Sequence, residues 1–253
     1  MNILLLGHKG YLGAFIKEVF APDVTPRNIK YDYVINCIGK PNLEYCESNP
    51  EVSYRSNYEV VEQALAEYPD SKFIHFSSYY VYDDSGYCTE ESITTKKYKY
   101  CEHKLLSENI VSQREGVSFR IGKIFGHSKG KKQNKLTEML LFSKRKIILD
   151  DVRFNPTSLN QIGRAIEHEL ANGDLKGVYN LSNVGDISHY EYGCYMKENF
   201  NPNLKIERIK KHTRIFHNYG RFLMSCSKIK KTVPLLNWKK DMVQYLEELK
   251  CIA

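Results

Sequence analysis

A short apolar run, Ile3–Leu6, opens directly into Gly7-His8-Lys9-Gly10-Tyr11-Leu12-Gly13, and this junction narrows the folds open to the chain. Glycines at this spacing suit a strand that turns sharply into a helix. Gly7 permits the turn, Gly10 lets a phosphate approach the backbone, and Gly13 allows the helix to pack closely on the strand. A helix that starts there presents amide groups and the positive end of its dipole to an anion. With a strand before it and a helix after it, the loop reads as a dinucleotide site in preference to a purely structural turn. Lys9 lies inside the loop, where it either meets a 2′-phosphate or points to water.

Beyond the loop the chain alternates. Residues 11–20 suit a helix, 33–38 (YVINCI) a buried strand, 50–67 a helix, 73–77 a strand, 98–113 a helix and Val117–Ile121 a strand. This order predicts an α/β fold, a Rossmann-like doubly wound parallel sheet with helices on both faces. One part is short. Only residues 21–32 separate the first helix from the next strand, too few for another strand–helix pair. The second and third strands are therefore expected to be missing or vestigial, and the adenosine side of the site abbreviated.

After residue 125 the pattern loosens. Residues 126–134 are polar and lysine-rich and read as a loop; 135–145, 157–172 and 188–199 read as helices, and 178–181 as a strand. The expected division is a dinucleotide-binding domain over 1–125, with returning segments near 150–181, and a small substrate-binding lobe formed mainly by 126–253.

Composition removes several classes. No apolar run approaches the roughly 20 residues of a membrane span, and the N-terminal MNILLLGHKG reads as a strand rather than a signal peptide. The expectation is a cytoplasmic protein. Seven cysteines, odd in number, scattered and without a Cys-x-x-Cys, read as reduced thiols and not as a disulfide frame or a metal site. The net charge of +7 suits nucleic acid or a phosphate-bearing small ligand, while most of the lysines read simply as a solvated surface. The glycine loop favours the second, so neither nucleic acid nor membrane is expected as a partner.

Two further segments carry chemistry. FIHFSSYYV (73–81) places Ser77 and Ser78 at the carboxyl end of a strand, where ligands bind in such sheets. Tyr-x-x-x-Lys occurs twice. Tyr68/Lys72 contains Pro69 and reads as a loop, whereas Tyr100/Lys104 falls on a helix, where residues four apart share a face. A lysine there can lower a tyrosine's pKa, and the tyrosine can then act as a proton donor beside a serine that polarises a carbonyl.

Glycine loop, strand-end serine and Tyr-x-x-x-Lys, in that order, resemble the extended short-chain dehydrogenase/reductases, in particular the dTDP-4-dehydrorhamnose reductase family. The likeness runs along nearly the whole chain. It continues through 32–57, HFSSYYVYDD (75–84), YKYCEHKLLSEN (98–109), FRIGKIFG (119–126), NPTSLNQIGRAI (155–166), GVYNLSNVGDISHYEY (177–192) and SCSKI (225–229). It implies Ser78, Tyr100 and Lys104 as catalytic residues. It implies a cofactor site made of Gly7, His8, Lys9, Gly10, Tyr11, Leu12, Cys37, Ile38, Gly39, Asn57, Ser77, Tyr100 and Lys104. Substrate would meet Ser78, Tyr80, Lys123, Asn134, Arg153, Pro156 and Thr157. The implied reaction is NADPH-dependent reduction of a nucleotide-diphosphate-linked 4-keto-6-deoxyhexose in deoxysugar biosynthesis, with NADH left open as cofactor.

The departures from the family pattern matter. Tyr79 and Tyr80 stand where the dehydratases carry an Asp-Glu pair, which argues against 4,6-dehydration. The cysteine that GDP-fucose synthases carry at the place of Tyr80 is absent, and Lys123 stands where the reductases often hold an aromatic residue against the sugar. A dinucleotide-binding regulatory subunit and a nucleotide-sugar epimerase remain alternatives. A homodimer through 50–67 and 98–113 is a further expectation.

Overall fold

Five short apolar runs pair into one parallel sheet. They are β1 (Ile3–Leu6), β2 (Tyr33–Asn36), β3 (Lys72–Ser78), β4 (Val117–Ile121) and β5 (Gly177–Leu181), hydrogen-bonded in that order. The computed structural model describes residues 1–83, 86–129, 135–209 and 223–252. Leu5 faces Ile35, Ile35 faces Ile74, and Ile74 faces Val117, so a row of branched side chains crosses the sheet. Such strands read as continuous apolar runs because both faces of the sheet are covered.

The longer helices are α1 (Tyr11–Phe20), α2 (Val60–Glu67), α3 (Lys99–Gln113), α4 (Lys135–Phe142), α5 (Leu159–Asn172), α6 (His189–Asn199) and α7 (Trp238–Ile252). Phe15 and Ile16 of α1 and Ile162 and Ile166 of α5 pack on one face of the sheet, against Leu5, Ile35, Ile74 and Phe119. Val61, Ala64 and Leu65 of α2 and Val111 of α3 pack on the other, against Leu4, Val34 and Phe73. α5 is well delimited. The Ser158 hydroxyl accepts the Gln161 amide at its start, and Gly173 closes it in the left-handed conformation (φ 65°).

Segment 21–32 forms no strand. Asp23 makes a one-residue parallel bridge on the outer edge of β1: its amide donates to the Ile3 carbonyl (2.9 Å), and its carbonyl accepts the Leu5 amide (2.8 Å). The chain thus visits the far side of β1 at one residue and returns to pair β2 on the near side. The second strand is vestigial and the third absent, as the spacing predicts.

Other expectations shift in detail. β2 stops at Asn36, two residues early, because the Asn36 side chain accepts the Ile38 amide (3.0 Å) and turns the chain. The helix expected over 50–67 is Pro50–Tyr54, a π-helical turn at Arg55–Glu59, then α2. A further short helix, Leu43–Ser48, precedes it, capped by Asn42. Residue 157, expected in a helix, lies in a short strand, Pro156–Ser158, that pairs in parallel with Lys123–Phe125.

A second core gathers the later segments: Leu140 of α4, Tyr192 and Met196 of α6, and Trp238, Met242 and Tyr245 of α7. Ile147–Asp150 pairs in parallel with Ile206–Ile209, and Arg153–Phe154 pairs antiparallel with Ile187–Ser188. Among the described residues, no helix is long and apolar enough to cross a membrane.

Candidate active site

Two of the three loop glycines are fixed by the fold. Gly7 has φ +84°, and a Cβ there would lie 2.8 Å from backbone atoms of Cys37 and Ile38. A Cβ at Gly13 would lie 2.2 Å from the Gly7 carbonyl oxygen. Gly10 differs: its backbone is ordinary (φ −77°), and a Cβ there would meet nothing nearer than the Gly7 carbonyl at 3.4 Å. It begins α1 without a side-chain cap. The helix end is therefore bare where the backbone would approach a pyrophosphate, and the residues present fit a dinucleotide. His8 is half-buried and Lys9 exposed beside it.

After β2, Cys37, Ile38 and Gly39 cross the mouth of the same cleft. A Cβ on Gly39 would stand 3.3 Å from Asn57 Oδ1 and 3.4 Å from Lys104 Nζ, so the backbone runs close over both. Asn57 is fully buried in the π-helical turn. Its side chain accepts the Lys40 amide (2.8 Å) and donates to the Lys40 carbonyl (3.3 Å), and its own carbonyl accepts the Ser107 hydroxyl (2.5 Å). Asn57 thereby ties the loop after β2 to α3.

The two serines ending β3 do different work. Ser77 donates to Glu108 (2.5 Å), which Arg120 grips through two further bonds at 2.9 and 2.6 Å. This pair is buried, and it spends the Ser77 hydroxyl on structure. Ser78 accepts the Tyr80 amide (3.2 Å), capping the turn Tyr79–Val81. That leaves its proton for a partner, and the Ser78 and Tyr100 hydroxyls both open on the same cavity. Burial raises the Tyr100 pKa well above the usual phenol range, and the neighbouring Ser78 hydroxyl works in the opposite direction.

Tyr100 and Lys104 lie one turn apart on α3, both buried. Lys104 Nζ donates to the Phe76 carbonyl on β3 (2.8 Å). Burial pulls this ammonium down to about 8, while Glu108, one turn further along, opposes the shift. The other pair is elsewhere: Lys72 binds Glu169 (2.6 Å) and the Gly173 carbonyl (2.7 Å), at the opposite end of β3 from Ser78.

These groups meet on one cavity of about 600 Å³. Of the residues expected from the sequence, Tyr11, Leu12, Cys37, Ile38, Gly39, Asn57, Ser77, Ser78, Tyr80, Tyr100, Lys104 and Lys123 line it. Gly7, His8, Lys9 and Gly10 form the loop at the start of α1 and are not among its walls. Arg153 is held instead by Asp186 (2.5 Å) and Glu191 (2.9 Å), Pro156 lies in the strand beside Lys123, and Thr157 is buried beneath Gly122. Asn134 lies outside the described residues. Two wall residues were not expected in the site: Tyr79, read from the sequence only as an argument against dehydration, stacks on Tyr80 (4.3 Å between ring centres), and Leu136 of α4 brings the second core to the cavity. Glu108 and Arg120 were not expected either. The signal was present: Glu108 is four residues after Lys104 on α3, and Arg120 is the one charged residue in the strand Val117–Ile121.

The chain is also similar in sequence and fold to known proteins. Over 236 residues the chain is 26% identical to an Escherichia coli dTDP-4-dehydrorhamnose reductase, covering 78% of each chain. Its fold is similar to that of a dTDP-4-dehydrorhamnose reductase from Clostridium acetobutylicum (TM-score 0.85, 20% identity, 99% of this chain and 100% of that one). It is also similar to a Bacillus anthracis dTDP-4-dehydrorhamnose reductase solved in complex with NADP (TM-score 0.82, 17% identity, 98% and 99%). The family model described as the RmlD substrate binding domain matches residues 21–251, and the chain belongs to that family.

Proposed function

We propose that this protein is an NADPH-dependent reductase of a nucleotide-diphosphate-linked 4-keto-6-deoxyhexose. The observation that carries the reading is the convergence of Ser78 and Tyr100 on one cavity wall, with Lys104 fixed beside them by the Phe76 carbonyl. Support for the cofactor comes from the bare start of α1 at Gly10 and from the NADP-bound relative. When bound, the nicotinamide supplies the hydride.

This chain's own groups handle the oxygen and the proton. A substrate carbonyl oxygen placed between the Ser78 and Tyr100 hydroxyls accepts a hydrogen bond from each. Ser78 polarises the carbonyl, and its oxygen is held in place by the Tyr80 amide, which takes one of its lone pairs and leaves the O–H to donate. Tyr100 gives its proton to the oxygen as negative charge develops there. Burial holds Tyr100 protonated until that moment. The Lys104 charge one turn away stabilises the phenolate that remains, and water returns the proton. The sheet-borne domain would hold the dinucleotide, and the lobe built on α4, α6 and α7 would close over the sugar.

The test mixes purified protein with NADPH, or separately NADH, and dTDP- or UDP-linked 4-keto-6-deoxyglucose, with and without a 3,5-epimerase, and follows the nicotinamide absorbance. Substrate-dependent loss is expected, faster with NADPH. Dinucleotide binding with no loss under any combination would sink the reductase reading in favour of a binding subunit.

A further inference from the structure

The cavity wall away from Tyr100 carries a second polar device that the reaction above does not use. Lys123 lines the cavity just after β4, and its ammonium donates to His189 Nε2 at 2.6 Å. His189, the first residue of α6, turns its Nδ1 to Asp150 Oδ1 at 2.7 Å. Asp150 is steadied in turn by the Val152 amide (3.0 Å), and the Phe154 ring lies 5.4 Å below the ammonium. Three residues from separate segments thus form a chain: carboxylate, imidazole, ammonium.

The order of charges along this chain gives it a direction. The carboxylate fixes the imidazole proton on Nδ1, so Nε2 is an acceptor and the lysine keeps its charge. An ammonium has three N–H donors, of which the imidazole takes one. Among the described residues no carboxylate pairs with Lys123 directly; its counter-charge lies one ring behind it. The positive end of the chain therefore faces the cavity. A charge in that position is poorly compensated until an anion meets it. Burial pulls Lys123 down to about 8, with Asp150 opposing the shift, which is consistent with a cation awaiting a partner.

We propose that Lys123, held by His189 and Asp150, is an anion subsite that receives an anionic oxygen of the substrate. The oxygen belongs either to a carboxylate on the sugar or to the nucleotide diphosphate. The proposal rests on the reading of the cavity as a nucleotide-sugar site. Lys123 is the specificity-determining contact, and His189 and Asp150 are positioning residues.

Calorimetric titration tests this by binding, independently of turnover. The probes are UDP, UDP-glucose and UDP-glucuronate, with the dTDP series in parallel, against wild type, Lys123→Met and Asp150→Asn. NADPH binding, expected to be unchanged, reports that each variant is folded. A tenfold or greater loss in Lys123→Met for UDP-glucuronate, with UDP-glucose within twofold, assigns the subsite to a sugar carboxylate. Equal tenfold losses for all three ligands assign it to the diphosphate. In either case Asp150→Asn should lose less affinity and shift the alkaline fall in affinity to lower pH, because the lysine has lost its supporting charge. Unchanged affinities in Lys123→Met overturn the proposal. If neither series binds wild type, the nucleotide-sugar reading falls and the subsite with it, whereas NADPH oxidation without any effect of Lys123→Met removes the subsite only.

Discussion

Lys104 Nζ donates a 2.8 Å hydrogen bond to the carbonyl oxygen of Phe76, two residues before Ser78. One bond thereby joins the helix that carries Tyr100 to the strand that carries Ser78. Lys104→Met should lower turnover at least a hundredfold by removing both the charge and the tether. Lys104→Arg should recover little, because the guanidinium fork does not fit the narrow space under Gly39. Steady-state rates of the three proteins check this.

The same lysine predicts a pH effect of known sign. Burial brings Lys104 from 10.5 to about 8. Between those values the unfolded chain binds a proton that the folded protein does not, so this group adds stability as pH rises from about 8 to 10.5. Below 8 its burial penalty is complete, about 3 kcal/mol for a shift of this size. The stability advantage of Lys104→Met over wild type should therefore be largest near pH 7 and shrink toward pH 10. Activity of the wild type should fall across the same window as the ammonium discharges. Urea denaturation and initial rates at several pH values measure the two opposing trends.

Tyr100→Phe should reduce turnover by about 10³-fold or more and leave NADPH affinity within a few-fold. Ser78→Ala should cost about 10- to 100-fold in rate and, through the lost cap, roughly 1 kcal/mol in stability. Ser78→Thr should restore most of both. A Tyr100→Phe protein with the wild-type rate would remove Tyr100 from the mechanism.

The glycines separate fold from binding. Gly13→Ala drives a methyl group to 2.2 Å from a backbone oxygen and should prevent folding or lower Tm by ten degrees or more. Gly10→Ala meets no such obstacle, so Tm should stay within a few degrees while dinucleotide affinity drops tenfold or more. Thermal melts and fluorescence titration with NADPH distinguish the cases. A Gly10→Ala protein that binds NADPH normally would show that the phosphates do not sit on this helix end.

Removing one member of the buried Glu108–Arg120 pair should destabilise strongly, by about 3–5 kcal/mol, because the other charge is left uncompensated. Glu108→Ala should also release the Ser77 hydroxyl and loosen the end of β3 beside Ser78. Chemical denaturation and the rate of the surviving folded fraction report the two consequences.

The sheet was legible because β1 to β4 are apolar runs bounded by glycines and polar turns, a signal that lies within each segment. Tyr100, Lys104 and Ser78 were legible because a spacing of four on a helix and a position at a strand end are also local properties. The pairing of Ile147–Asp150 with Ile206–Ile209 was not, since each strand is four residues long and half-exposed, and the partner lies far along the chain. α7 was legible in principle: Trp238, Met242, Tyr245 and Leu249 recur at helical spacing and pack in the second core. The Lys123–His189–Asp150 chain left no local trace. Its members are separated by 66 and 39 residues, and only the folded lobe brings them together.

The bridge at Asp23 has a meaning for solubility as well as for topology. A parallel sheet that ends on a bare hydrophobic strand offers its margin to any other chain that can add a strand to it. Here one residue occupies the outward amide of Leu5 and the outward carbonyl of Ile3, and its side chain is held by Arg27 in the adjoining turn. One strand is reduced to a bridge and another is absent from this half of the molecule, yet the margin of β1 is capped at its centre by a single residue.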